Sequence, residues 1–197
     1  MTRKPNLIVI YAAFFSTIFF CLSAQQAKRY VITDHGAVGD SQTLNTGAIQ
    51  SAIDLCASEG GGTVVIPEGV FLSGAIFLRQ GVHLHVEQDG VLKGTVNPDD
   101  YPQVFTRWEG EERMWTSALI NAFEMNSVQL TGKGLIDGSG DQWMERFPRD
   151  SKELKVGRPR LIAIQNCTDV MVSGLSLKNQ ACWGLFILYS SNVSVKK

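Results

Sequence analysis

Two carboxylates stand side by side at Asp99-Asp100, and three glutamates follow at Glu109, Glu111 and Glu112. Neighbouring acids can divide general acid and general base work, provided both reach one reacting bond. Adjacent residues on a strand point to opposite faces. Pro98 and Tyr101-Pro102 bracket the aspartates and make a turn of them. Asp137, between Ile136 and Gly138, reads as another turn residue, and the three glutamates read as a solvated loop face. His83 and His85 alternate, so a strand would place them on one side, but no third ligand lies near and no metal site is expected. Arg107-Trp108 sets a guanidinium beside an indole, a carboxylate-binding fork next to a stacking surface. The competing reading is a tryptophan that anchors its own loop, and Trp183 invites the same comparison.

These residues need a frame. The chain has 197 residues, 44% of them hydrophobic, which suffices for one ordinary domain with a real core. A formal net charge of −1 supplies no field that would favour nucleic acid or an anionic membrane. Arg3 and Lys4 precede an apolar run from Leu7 to Leu22, and Ser23-Ala24 follows. Residues 1–24 therefore read as a secretory signal cleaved after Ala24. A retained anchor is the alternative, but the run falls short of the roughly 20 residues that a spanning helix needs. Cleavage would leave Cys56, Cys167 and Cys182, an odd set that argues against a disulfide framework. A Cys167–Cys182 bridge stays open, beside the reading of all three as buried thiols.

Tyr30 to Thr33 reads as a short strand, and Asp34 to Asp40 as a glycine-punctuated turn. Asn45 can cap a helix whose apolar stripe is Ala48, Ile49, Ala52, Ile53 and Cys56. Gly60-Gly61-Gly62 ends it. One helix followed by strands suggests a plug over the open end of a β stack. Strands are predicted over Thr63–Ile66, Gly74–Leu78, Val82–Val86 and Val91–Gly94, too close together for crossover helices.

Repeats favour a solenoid over a sandwich or barrel. Ile120 precedes Val128 by eight residues, Ile162 precedes Val170 by eight, and Leu185 precedes Val193 by eight. Val170 to Val193 is 23 residues, about one coil; Val128 to Val170 is 42, the surplus being a polar insertion over Ser139 to Pro159. Small polar residues precede each repeated valine: Asn126-Ser127, Thr168-Asp169 and Ser191-Asn192. Two stretches break the pattern and read as loops, Asn97 to Trp115 and Asp141 to Arg160. Long loops on a rigid solenoid are where binding usually sits.

The run Asp34-His35-Gly36-Ala37-Val38-Gly39-Asp40, then Asn45-Thr46 with Ala48-Ile49-Gln50, then Gly60-Gly61-Gly62-Thr63-Val64-Val65-Ile66-Pro67 with Gly69 and Phe71-Leu72-Ser73-Gly74, resembles the opening of glycoside hydrolase family 28, the polygalacturonases. The likeness continues through Arg107-Trp108-Glu109-Gly110, Ile136-Asp137-Gly138 with Trp143, Cys182-Trp183-Gly184 and Ser191-Asn192-Val193, and so covers nearly all of residues 29–195. It implies an all-β, right-handed parallel β-helix with an N-terminal capping helix. It implies hydrolysis of α-1,4 links between galacturonic acid units with inversion, by two carboxyl groups roughly 6.5–9.5 Å apart. That family carries its chemistry on Asn-Thr-Asp, Asp-Asp, Gly-His-Gly and Arg-x-Lys elements, and none is assigned here: Asp99-Asp100 reads as a turn, and Asn45-Thr46 is followed by Gly47.

The expectation is therefore a signal over residues 1–24, then a cap and the first coils of an incomplete β-helix over 25–197. The parent function would be secreted or periplasmic degradation of polygalacturonan or rhamnogalacturonan, by a monomer without cofactor. No catalytic residue is assigned. Arg107 and Trp108 are the substrate-contact candidates, through a uronate carboxylate and a sugar face. The chain alone is expected to be inactive and, with an uncapped last coil, prone to aggregate. The rivals are a non-catalytic, tailspike-like binding β-helix and a calcium-dependent pectate lyase.

Overall fold

The computed structural model describes residues 28–148, 151–152, 154 and 157–197. The signal read over residues 1–24 lies outside them. β1 (Arg29–Val31) is followed by a 3-10 turn over Ile32–His35, then β2 (Asp40–Leu44) and α1 (Thr46–Ser58). The first full coil is β3 (Gly62–Ile66), β4 (Gly69–Ser73) and β5 (Ile76–Phe77). β6 (Val82–Val86) and β7 (Gly90–Gly94) begin the next. An antiparallel hairpin of β8 (Gln103–Trp108) and β9 (Glu111–Thr116) interrupts it before β10 (Ile120–Phe123). β11 (Gln129–Gly132) and β12 (Leu135–Asp137) lead into α2 (Gly140–Arg146) and then β13 (Ile162–Gln165). β14 (Thr168–Ser173), β15 (Ser176–Lys178), β16 (Leu185–Leu188) and β17 (Ser191–Lys196) complete the described coils.

Each coil gives one strand to each of three parallel sheets. The first sheet runs β1-β3-β6-β11-β14-β17, the second β2-β4-β7-β12-β15, and the third β5-β10-β13-β16. This is the expected parallel β-helix, with the repeated residues in register. Ile120 lies beside Ile162, which lies beside Leu185. Val170 lies beside Val193, and Leu130 beside Leu84 and Val172. Val64, Leu84 and Leu130 have no exposed surface. Each such residue contributes roughly 1.5–3 kcal/mol by leaving water, and can do so only because the coil above and the coil below cover it. On the outermost described strand, Val195 is 56% exposed.

α1 buries Ile49, Ala52, Ile53 and Cys56 of the predicted stripe against β1, β3 and β5, and Ala48, its first member, is half-buried. It lies between a second-sheet strand and a first-sheet strand, where a third-sheet strand would otherwise fall. Gly60 and Gly61 both have positive φ; the Gly60 amide donates to Ala57 O at 3.1 Å and the Gly61 amide to Cys56 O at 2.8 Å. That pair of bonds is a Schellman stop, and it explains the glycine run.

Four local expectations need correction. Asn45 holds the N-cap position but does not cap; its side chain accepts from Val38 N at 2.7 Å and donates to Val38 O and Thr43 O at 3.0 and 2.7 Å. It ties the preceding loop shut, and Asn45→Ala should cost about 2–4 kcal/mol by orphaning buried backbone groups, read as a lowered denaturant midpoint. The strand over Gly74–Leu78 contracts to Ile76–Phe77, because Gly74 and Ala75 form the corner, with the Ala75 amide on Asp100 O. The stretch Asn97–Trp115 is largely a hairpin rather than a loop. The second insertion carries α2, whose Trp143 is fully buried and donates to Thr95 O at 3.0 Å.

At the N-terminal end, Tyr30 donates to Glu59 Oε2 at 2.8 Å and Lys28 lies 3.2 Å from the same oxygen. The tyrosine's bond, and then the lysine, hold the Glu59 carboxyl below its ordinary value. Burial, together with Glu59, pushes Tyr30 up to about 12. A carboxyl lowered by folding stabilises above its unfolded value, and that contribution is lost as pH falls through the folded one. Tyr30→Phe should raise the Glu59 pKa and narrow this acid-sensitive window, measured by carboxyl NMR titration.

Candidate functional site

Every long insertion falls at one corner, between the second sheet and the third. The hairpin occupies it in one coil, the α2 segment in the next, and the short turn Gln180–Gly184 in the one after. The hairpin stands there as a wall with two different faces, since strand residues alternate. Val104, Thr106 and Trp108, with Trp115 across from Val104, form one face; Phe105 and Arg107, opposite Met114 and Glu112, form the other.

The first face is aromatic and cationic. Trp108 stacks on Trp115 with ring centres 4.0 Å apart, and on Trp183 at 5.2 Å. Arg160, only 2% exposed, enters this stack from the start of β13. Its guanidinium lies 3.7 Å from the Phe186 ring centre and 5.3 and 5.4 Å from those of Trp108 and Trp183. It donates to Arg107 O at 2.6 Å and Thr106 Oγ1 at 3.3 Å. Burial draws its pKa below the ordinary value, yet an arginine stays charged in such a site. Beside the stack is a cleft of about 360 Å³, bounded by Trp108, Trp115, Pro148, Leu154, Arg158 and Trp183.

The second face looks onto the third sheet and encloses a groove of about 670 Å³. Phe77, Phe123 and Gln165, one from each of β5, β10 and β13, make its floor; Phe105 and Met114 make its wall. Tyr189 closes one end, donating to Glu112 Oε1 at 2.8 Å and accepting from Arg107 Nη1 at 3.0 Å.

Arg107 and Trp108 thus part company. Arg107 reaches the end of the groove through its bond to Tyr189, while Trp108 lies in the stack on the other side of the wall. Trp183, 44% exposed, is the stack's outer member. Asp99 and Asp100 lie in a 3-10 turn, Pro98–Asp100, as the sequence indicates. Asp137 ends β12 and accepts from the Ser139 amide at 2.8 Å, so it is a strand residue that orders the next turn. Glu109, Glu111 and Glu112 are all exposed, as a solvated face requires, and lie on a hairpin rather than a loop; Glu112 also lines the groove. His83 and His85 share an outward face of the first sheet, away from the groove, and His85 Nδ1 lies 3.0 Å from Thr131 Oγ1. Desolvation lowers the His83 pKa. Among the described residues no group of three His, Cys, Asp or Glu side chains could hold a metal ion. Cys56, Cys167 and Cys182 are free thiols. Sequence reasoning missed Phe77, Phe123, Tyr189 and Arg160, whose roles depend on neighbours from other coils.

Stacked parallel coils with a groove along one sheet define a β-helix whose loops are gathered on a single side. The chain belongs to glycosyl hydrolases family 28, whose sequence profile matches residues 56–197. It is 32% identical over 174 residues to a protein of Vitis vinifera named "Probable polygalacturonase", covering 84% of this chain and 35% of that protein. It is 36% identical over 157 residues to the exo-poly-alpha-D-galacturonosidase of Dickeya chrysanthemi, covering 76% of this chain and 25% of that protein. The hyperthermoactive exopolygalacturonase of Thermotoga maritima superposes with a TM-score of 0.74 at 28% identity, over 85% of this chain and 45% of the other. The chain therefore spans about a third or less of the length of the two sequence relatives.

Proposed function

We propose that this chain forms the cap and substrate-facing coils of a secreted hydrolase that cleaves α-1,4-galacturonosidic bonds of pectic polysaccharide with inversion. The observation that carries this reading is the likeness to proteins named for galacturonan cleavage, over coils whose insertions all fall at one corner, where the hairpin walls a groove along the third sheet. Arg107, at the groove, is the candidate partner for a uronate carboxylate. Trp108 contributes through the stack that holds the hairpin upright, with Trp183 offering its exposed face to sugar. Residues 1–24 would direct export; N-terminal sequencing of exported protein should then begin at Gln25.

The chain lacks Asn-Thr-Asp, Gly-His-Gly and Arg-x-Lys elements, and its one Asp-Asp pair, Asp99-Asp100, lies in the 3-10 turn before the hairpin. Without a positioned acid and base the main catalytic contributions are missing. Incubated alone with polygalacturonate, it should release no reducing ends above a buffer blank. A chain extended by those elements should release them with inverted anomeric configuration, followed by NMR of the first products. Turnover by the chain alone would refute the assignment of the chemistry to such elements.

A further inference from the structure

Arg160 is a buried cation on the substrate-facing side of the third sheet. Its guanidinium lies over the ring of Phe186, which shares a register column with Ala163, Asn121 and Phe77, and Phe77 belongs to the groove floor. The charge is therefore outside the coil stack, roofed by Trp108 and Trp183. Its partners are a carbonyl, a hydroxyl and aromatic rings, all neutral, and its Nε has no partner. The ion pairs among the described residues lie elsewhere, at Lys28–Glu59, Arg29–Glu87 and Arg79–Asp54. A neutral side chain could fill the space among the rings without the cost of burying a charge, and buried charges are ordinarily paired. This one is left to act on whatever anion reaches the adjoining surface. The cover over it is thin, since Trp183 is 44% exposed and Phe186 is only half-buried. Aromatic walls of low polarity screen such a charge less than water does. Arg107, whose carbonyl Arg160 holds, reaches Tyr189 just beyond β16. Two cations thus bracket β16, Arg160 on the Trp183 side and Arg107 on the Tyr189 side. A galacturonan brings one carboxylate with each sugar unit, so successive units can answer both.

We propose that Arg160 is a specificity determinant, its buried charge selecting acidic over neutral sugar along the strip from Trp183 to Tyr189. The inference rests on the pectic reading above and adds a second cation to Arg107, one that acts through its field without touching the sugar.

The test is calorimetric titration of the chain, at low salt, with trigalacturonate and its neutral counterpart, α-1,4-galactotriose. The unaltered chain should bind the acidic trimer more tightly. Arg160→Met fills the space without a charge and should cut that preference about tenfold, the size of one partly screened opposite charge. Arg160→Lys loses the planar fork but keeps a charge, and should retain most of the preference. The loss in Arg160→Met should persist when Arg107→Ala is added, since independent contributions add. Equal weakening of both trimers by Arg160→Met and Arg160→Lys would reduce Arg160 to a prop for the hairpin and overturn the inference. A loss that vanishes in the Arg107→Ala background would overturn it too, because Arg160 would then act only by holding Arg107. Either result leaves the pectic reading standing. Failure of the unaltered chain to bind trigalacturonate, or its preference for the neutral trimer, would defeat both.

Discussion

Gly132→Ala should unfold much of the coil stack. Gly132 ends β11 at the corner leading to the second sheet, with φ of 125°. A Cβ there would sit 1.9 Å from Val86 O and 2.8 Å from Val86 C, both backbone atoms of the strand beneath. Val86 O already accepts the Lys133 and Gly134 amides at 3.1 and 3.2 Å. Relief of the clash must therefore break the contact that seats one coil on another. One coil further on, a Cβ on Gly174 would meet Gly132 O at 2.3 Å, so the corner is equally tight there. The expected cost is about 4 kcal/mol or more, or a fall in melting temperature of roughly 10 °C. Gly110→Ala provides the contrast. Gly110 also has positive φ, at 95°, but nothing lies within 4 Å of its added carbon. Only backbone strain remains, about 1–2 kcal/mol. Equal losses in the two variants would show that strain, rather than the approach of neighbouring coils, fixes the corner glycine.

The second large effect is local. Arg160→Ala should free the hairpin while leaving the sheets folded. The guanidinium is the shared partner of Arg107 O, Thr106 Oγ1 and three rings, and no carboxylate among the described residues pairs with it. Its removal leaves a buried carbonyl and hydroxyl unsatisfied and a void among the rings. A cost of about 3 kcal/mol would fall on the wall, raising amide exchange of residues 103–116 roughly a hundredfold. Amides of β6 and β11 should keep their protection. Near-ultraviolet dichroism should lose the contribution of the Trp108–Trp115 stack. Uniform loss of protection across the chain would instead place Arg160 in the global core.

Much of the frame is legible from residue order. The repeated Ile and Val positions predict the register because a solenoid stacks equivalent side chains, and the Ser139–Pro159 surplus marks an insertion without disturbing that count. The hairpin is harder to read. Its aromatic and charged residues look like a loop, although the alternation of Val104, Thr106 and Trp108 about Glu109-Gly110 carries a strand signal. Asn45 shows another limit. Its position at the helix start is readable, but its bonds go to a loop seven residues back. The Arg160 stack draws on Trp108, Trp115 and Trp183, which come together only once the coils close. A single arginine ahead of an apolar strand gives no warning of that role.

The confinement of insertions to one corner has a mechanical meaning. The ladder tolerates an added hairpin in one coil and an added helix in the next because neither lies in the path of the stacking hydrogen bonds. That seam is where foreign segments can be spliced, lengthened or exchanged with the register of the sheets unchanged. Replacing the α2 segment by a turn as short as Gln180–Gly184 would keep the register of the sheets but would strip Trp143 and Phe147 from the core, so a graft at this seam must bring an apolar anchor of its own.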